Sequence, residues 1–393
     1  MTESAVLIAG FSGRALAASA RRAGFRPLVV DAFGDTDTRR LASAMIVLPE
    51  ALRQGFRGNR LMAALAELVA GDRQAHARRT GDAAAPIGLV LGAGFEDAPA
   101  LVAALARHYR LIGCPPDVVE ATKSPARFFG CLAKLGIAHP ETQIDAPACG
   151  SGWLTKRVGG SGGTHIARCG QHVTNRRDRY YQRPVAGEPM SMLGLVGRRS
   201  SAFAFSRQWP APMPRRPFRY GGGVGNLTLD EDLEARMVSI GLDVSQAFGL
   251  VGMISLDFIV ADGTPMLLEV NPRPGASLDL FDDAAGTLFR AHVEACQDGD
   301  PAETLAAGWS PPTRAAAYLY ADEGALTVPD IAWPEWTADR PAAGSLVPRF
   351  RPLATVSADA ATPTAAEAAL HERMGRLAQL LYRGQKTGKE MPL

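Results

Sequence analysis

At 393 residues the chain is long enough for roughly two or three domains, and 47% hydrophobic residues with a formal charge of +2 place it among globular proteins. So small a net charge excludes a general field for nucleic acid or an anionic membrane, and no apolar run reaches the length of a membrane span. The N-terminus lacks a basic region followed by an apolar core, and the five cysteines are scattered without a Cys-x-x-Cys pair, so the expectation is a cytoplasmic protein with neither disulfides nor zinc.

The first hundred residues alternate strand and helix. Ala5 to Gly10 reads as a short buried strand, Gly13 to Ala23 as an Ala-rich helix closed by Gly24, and Pro27 to Asp31 as the next strand. A strand from Ile87 to Gly92, a helix from Ala98 to His108 and a strand at Leu111 to Gly113 continue the series, with a polar loop between Gly71 and Pro86. Gly10-Phe-Ser-Gly13 lacks the dinucleotide fingerprint, so a small Rossmann-like domain without that cofactor is expected. Ser12, Arg14 and Phe95-Glu96-Asp97 follow strands, where such a domain offers groups to substrate; turn and capping chemistry is their other use.

A helix from Arg127 to Leu135 precedes the strand Trp153-Leu-Thr-Lys156-Arg-Val, which enters the loop Gly159-Gly160-Ser161-Gly162-Gly163. Four glycines in this loop let the backbone close its N–H groups over phosphates, to which Lys156 adds a point charge. No Gly-Lys-Ser/Thr follows, so this is not a Walker loop, and a flexible turn is the plain alternative. None of the histidines forms a ligand-spaced pair, and His165 beside the loop is the one to follow. The arginines Arg176, Arg177 and Arg179, and Arg215, Arg216 and Arg219, read as solvated surface, or as partners of an acidic substrate if they border a cleft.

Further on, Ile254 to Val260, an Asp262-Gly263 turn and Met266 to Asn271 read as an antiparallel hairpin. Asp257 lies on one strand; Glu269 and Asn271 lie on the other with their side chains on one face. Two carboxylates and a carboxamide facing one another are costly if buried unpaired, and they suit magnesium and the phosphates it bridges. An ordinary hairpin with a solvated acidic face is the alternative.

Taken in order, the glycine loop, Tyr180-Tyr-Gln182-Arg183-Pro184-Val185-Ala-Gly-Glu188 and Leu268-Glu269-Val-Asn271-Pro-Arg273-Pro resemble the ATP-grasp fold. That resemblance implies an α/β protein with α+β lobes: a Rossmann-like domain over 1–113, an ATP-grasp region over 114–298 (small lobe 124–190, large lobe 191–298) and a small β-rich domain with a terminal helix over 299–393. It implies ATP and magnesium, with manganese as a substitute, the metal being held by Asp257, Glu269 and Asn271. Lys123, Lys156 and the loop residues Gly160, Ser161, Gly162 and Gly163 would meet the phosphates, Gln182, Arg183, Pro184 and Val185 the adenine edge, and Glu188 the ribose. Arg273 would face the transferred phosphate or a bound carboxylate.

The implied reaction is ligation of a carboxylate to an amine through an acyl phosphate, with Arg273 and Lys156 as the catalytic pair. Gly10-Phe-Ser-Gly-Arg-Ala together with Tyr-Tyr-Gln and Glu-Val-Asn-Pro-Arg-Pro looks like a predicted carboligase branch near the tyramine-glutamate ligases of methanofuran-type one-carbon cofactor synthesis, which suggests an amino-acid substrate. Small-molecule partners are expected, with no nucleic acid or membrane, and a homodimer is compatible. Asp339-Arg-Pro, Gly344-Ser-Leu-Val-Pro, a strand at Ala315 to Tyr320 and a helix from Ala365 to Leu381 loosely resemble the closing β domain of the biotin-carboxylase branch. A carboxylase activating bicarbonate is therefore one alternative, and a non-catalytic ATP-binding sensor another. Ser255 stands where dipeptide ligases carry an arginine, which counts against a D-alanine ligase type of site.

Overall fold

The strand Ala5–Gly10 is buried along its whole length, as an apolar run without polar alternation requires of a central parallel strand. It pairs in parallel with Arg26–Asp31 on one side and Leu89–Leu91 on the other, and Ala44–Val47 completes the sheet beyond Arg26–Asp31. The computed structural model describes residues 4–80, 85–170, 172 and 176–383. Leu111 contributes a single bridge to Leu89 rather than the expected strand. The polar loop expected from Gly71 is helical as far as Thr80, being the last turns of a helix from Gly58. The polar residues there are held by tertiary partners: Asp72 is buried and accepts from Arg26 Nη1 at 2.5 Å. The part of that loop at 81–84 lies outside the described residues.

A second sheet, antiparallel, contains Thr142–Gln143, Arg179–Gln182, Leu154–Arg157 and Ala167–Arg168 in that order. The largest sheet has eight strands and runs from Thr264–Asn271 through Gly252–Ala261, Glu188–Val196, Ser201–Pro210 and Tyr220–Val224. It continues across residue 299, because Tyr220–Val224 pairs with Arg314–Tyr320, which pairs in turn with Pro352–Asp359. The C-terminal strands therefore extend the same sheet, backed by the helix Pro363–Tyr382.

Helix Glu231–Phe248 begins where Asp230 accepts from the Asp232 N–H and ends at Gly249 with φ +69°, a left-handed turn that glycine adopts without strain. Its Met237 and Val244 join Met192, Ile254 and Phe258 in the core beneath the hairpin. Among the described residues no helix is long and apolar enough to cross a membrane.

Charged side chains tie the layers together. Arg14 Nη1 and Nη2 donate to Asp279 at 2.5 and 2.6 Å, and Nε and Nη2 to Asp339 at 3.2 and 2.9 Å. Ser12 and Thr355 donate to the same Asp339 carboxylate at 3.0 and 2.5 Å. Burial works against the charge on Arg14, but Asp279 and Asp339 outweigh it and raise the guanidinium well above its ordinary range. Ser12 and Arg14, expected near substrate, are thus spent on joining the N-terminal sheet to the C-terminal strands.

One buried histidine makes stability depend on pH. His292 is fully buried; Nδ1 accepts from the Met253 N–H at 2.8 Å, which leaves Nε2 to donate to the Ile112 carbonyl at 3.1 Å. Burial pushes the ring down to about 4 from an ordinary 6.5, so the unfolded chain binds a proton at pH values where the folded protein does not. This contribution is complete above the unfolded value and is lost as pH falls through that window, a change of roughly 3 kcal/mol. His292→Asn keeps an acceptor for Met253 and is expected to flatten the fall in Tm between about pH 7 and pH 4.5 relative to wild type. Superimposable acid limbs would show that His292 does not set it.

Candidate active site

The hairpin forms as its turn chemistry requires: Asp262 and Gly263 both have positive φ, at 47° and 72°. In register, Asp257 lies opposite Glu269 and Ser255 opposite Asn271. Asn271 Nδ2 donates to Asp257 Oδ2 at 3.2 Å and to Glu269 Oε1 at 3.4 Å, while its Oδ1 accepts from Lys123 Nζ at 2.9 Å. Gln208 Nε2 donates to Asp257 Oδ1 at 3.3 Å.

These two carboxyls cannot both ionise freely. Burial and then the Glu269 charge push Asp257 up to about 7. Burial opposes ionisation of Glu269 as well, but Lys123, His165 and Lys156 outweigh it and hold that carboxyl below the usual range. A divalent cation would relieve the pair, so the donor set fits magnesium. Among the described residues no three His, Cys, Asp or Glu side chains form a metal cluster by themselves; Asp257, Glu269 and Asn271 would hold the ion together with oxygens from nucleotide phosphates.

Two lysines approach from other elements. Lys123 ends the helix Pro116–Lys123. Lys156 is buried in the strand Leu154–Arg157, and its Nζ donates to Gln182 Oε1 at 2.6 Å on the paired strand. Burial lowers the Lys156 pKa, and the charges of Glu269 and Asp257 pull against that fall.

The glycine loop closes over these groups. Gly159, Gly162 and Gly163 have φ of +66°, +66° and +72°, and a Cβ on Gly163 would lie 1.7 Å from the Phe218 carbonyl oxygen. His165 packs beneath the loop; a Cβ on Gly160 would meet its ring at 2.3 Å, and burial pushes the imidazole down to about 4. The Tyr220 N–H donates to the Gly162 carbonyl at 3.0 Å, joining the loop to the eight-stranded sheet.

Beyond the metal side, Arg273 Nε and Nη2 both donate to Glu96 Oε1, at 2.7 and 2.5 Å. Glu96 is buried and accepts from the N–H groups of Gly94 and Phe95 at 2.7 and 2.9 Å. A cavity of about 230 Å³ lies between these parts, lined by Ser161, Gly162, Asp257, Glu269, Asn271 and Arg273. Tyr220, Tyr318 and Ser277 also face it, the Ser277 hydroxyl being buried without a hydrogen-bond partner among the described residues.

Residues 124–277 match the family model described as an ATP-grasp domain. This stretch is an ATP-grasp domain. Over 221 residues the chain is 21% identical to the carbamoyl phosphate synthase large chain of Myxococcus xanthus (strain DK1622), an alignment covering 50% of this chain and 20% of that protein. The chain therefore spans about a fifth of the length of the curated relative it matches. An L-amino acid ligase from Bacillus licheniformis superposes with a TM-score of 0.65 at 16% identity, covering 95% of this chain and 97% of that one. N5-carboxyaminoimidazole ribonucleotide synthetase from Thermotoga maritima gives 0.63 at 14%, covering 95% and 98%. These similarities to solved structures are similarities of fold, and they extend over the N- and C-terminal parts as well as the ATP-grasp domain.

Within the ATP-grasp domain the remaining expected residues are placed less uniformly. Residues 183–187 join the Arg179–Gln182 strand of the smaller sheet to Glu188–Val196 of the larger one. There the Arg183 N–H is already donated to the Glu141 carbonyl at 2.9 Å, and its guanidinium lies 4.3 Å from the centroid of the Trp153 ring. Pro184 is exposed and Val185 half-buried. Glu188 is exposed and stands 3.7 Å from Arg207, the geometry of a surface ion pair.

The arginines expected on the surface divide. Arg219 is buried against the Tyr320 ring at 3.7 Å and pairs with Asp322 at 2.7 Å, which corrects the solvated reading for that residue, whereas Arg215 and Arg216 are exposed. Gln208, Tyr220 and Tyr318 were not anticipated at the site. Each sits on a strand of the eight-stranded sheet whose face toward the cavity is set by pairing across long sequence separations, and no local signal marks them.

Proposed function

We propose that this protein is an ATP-dependent carboxylate–amine ligase that works through an acyl phosphate. The observation that carries the proposal is the convergence of Lys123, Lys156 and the glycine loop on the Asp257–Glu269–Asn271 face, with Arg273 across the same cavity. A carboxylate is a poor electrophile because its leaving group would be oxide. Attack of a carboxylate oxygen on the γ-phosphorus breaks the bond to the β-phosphate and releases ADP, and the acyl phosphate then carries a good leaving group. An amine nitrogen attacks the carbonyl carbon, phosphate departs, and the nitrogen gives up its proton.

The chain's own residues supply charge and order. Lys156 and Lys123 lie where they offset negative charge on the distal phosphates, and the loop N–H groups add dipoles without reorganising. Magnesium, when bound by Asp257, Glu269 and Asn271, neutralises phosphate oxygens. Arg273, fixed by Glu96 and so unable to swing away, orients the carboxylate or the transferred phosphoryl group. Closure of the glycine loop onto the sheet keeps water from the acyl phosphate.

An amino acid as one substrate, after the tyramine-glutamate ligases that the motifs resemble, is where a screen begins. Glutamate is the first acid to try, with tyrosine and tyramine as amines. With the correct acid the expected products are ADP and orthophosphate in step with amide, and hydroxylamine should trap the activated acid as a hydroxamate. AMP and pyrophosphate would exclude the acyl-phosphate route, since these groups converge on the distal phosphates.

A further inference from the structure

A second recess, of about 180 Å³, lies between the N-terminal sheet and the C-terminal strands. Phe11, Phe33, Leu52, Pro352 and Ala354 give it apolar walls. Three of its polar lining residues are committed to one another: the hydroxyls of Ser12 and Thr355 both donate to Asp339, whose two oxygens also accept from Arg14. An occupant therefore meets mainly hydrocarbon and aromatic surface, with the Tyr318 phenol as the remaining polar group. Leu52 lines this recess and is 43% exposed, so a ligand entering it can cover the side chain.

Tyr318 lines both this recess and the cavity that holds Asp257, Glu269 and Arg273. The two spaces thus share one wall. Their relative placement is also held from the other side. Phe11 stacks on Phe56 at 5.6 Å and Phe56 on Phe95 at 4.9 Å, and Phe95 adjoins the Glu96 that grips Arg273. The apolar wall is therefore tied through an aromatic column to the residue that faces the reacting groups. On the cavity side the Tyr318 ring packs edge-on against Tyr220, with centroids 5.6 Å apart.

We propose that this recess is a specificity pocket for an apolar side chain of one substrate, with Leu52 and Phe33 as selecting residues and Tyr318 as the wall past which that side chain reaches it. The proposal rests on the ligase function proposed above and names the substrate class: a carboxylic acid or an amine carrying a phenyl-sized or branched aliphatic group. The shared feature is that group, and the reacting end distinguishes the two sources.

The test is a binding titration of the full chain with 3-phenylpropionate, phenethylamine, acetate and ethylamine, each with and without MgADP. One phenyl compound is expected to bind at least about tenfold more tightly than its two-carbon counterpart, as burial of a ring predicts. The acid or the amine arm identifies which substrate carries the group. Leu52→Asp places a charge in the recess at a partly exposed position and should remove that advantage, and Phe33→Ala should reduce it, with ATP affinity measured alongside to report an intact fold. Equal affinity of the phenyl and two-carbon compounds for the wild type, or an advantage that survives Leu52→Asp, overturns the pocket. Failure of the ligase proposal looks different: phenyl binding that depends on Leu52, yet no ADP or hydroxamate from any acid.

Discussion

Glu269→Ala is expected to lower ATP-dependent turnover by roughly 100- to 1,000-fold while leaving the fold intact. The carboxylate is buried beside Asp257 and faces Lys123, Lys156 and His165, so its loss removes the anion around which these groups are organised. No neighbour replaces it. Asp257, left alone, loses the repulsion that adds to burial in raising its pKa, and Asn271 loses one of its two acceptors. Stability should change little, because relief of the carboxylate pair opposes the loss of attraction to the lysines. Asn271→Ala should behave similarly, since it also removes the carboxamide oxygen to which Lys123 donates at 2.9 Å. The measurements are ADP release at saturating magnesium and a thermal melt on the same preparation. Near wild-type release by both variants would remove the hairpin from the chemistry.

Arg14→Ala should have the opposite profile, a loss of stability with no direct effect on the reacting groups. The side chains of Arg14 and Asp339 are 10% and 11% exposed, and that of Asp279 is 21% exposed. Deleting the guanidinium leaves the buried Asp339 carboxylate without its arginine and Asp279 with only the more distant charge of Arg314, a change of the kind that costs about 3–5 kcal/mol. Arg14→Lys keeps the charge but not the planar fork that donates to both acids, so it should fall between wild type and alanine. Urea denaturation at neutral pH reads both values. A cost below about 1 kcal/mol for Arg14→Ala would mean that this network does not hold the N-terminal sheet to the C-terminal strands.

Much of the site is local in sequence, and for that reason it was legible there. The Asp262-Gly263 turn starts the hairpin and the two-residue period of a strand puts Glu269 and Asn271 on one face, whereas Asp257 comes opposite Glu269 only through a shift of register between Asp257 and Phe258 that the turn does not announce. The glycine loop announces itself by composition, and Lys156 precedes it on a short strand. The helix from Gly58 was less legible toward its end, because polar residues such as Asp72 and His76 suggested a loop while tertiary contacts bury them.

By itself, then, the sequence determined the elements whose signals lie within about ten residues: the buried N-terminal strands, the glycine loop and the acidic hairpin. Only the tertiary structure decided what those elements face. Glu96 grips Arg273 across 177 positions, and Arg14 reaches Asp279 and Asp339 across 265 and 325. Tyr220 and Tyr318 meet because Tyr220–Val224 and Arg314–Tyr320 are neighbours in one sheet. A charged side chain carries no mark of its distant partner; burial makes the pairing obligatory, since an ion removed from water must find its counter-charge wherever the folded chain places one.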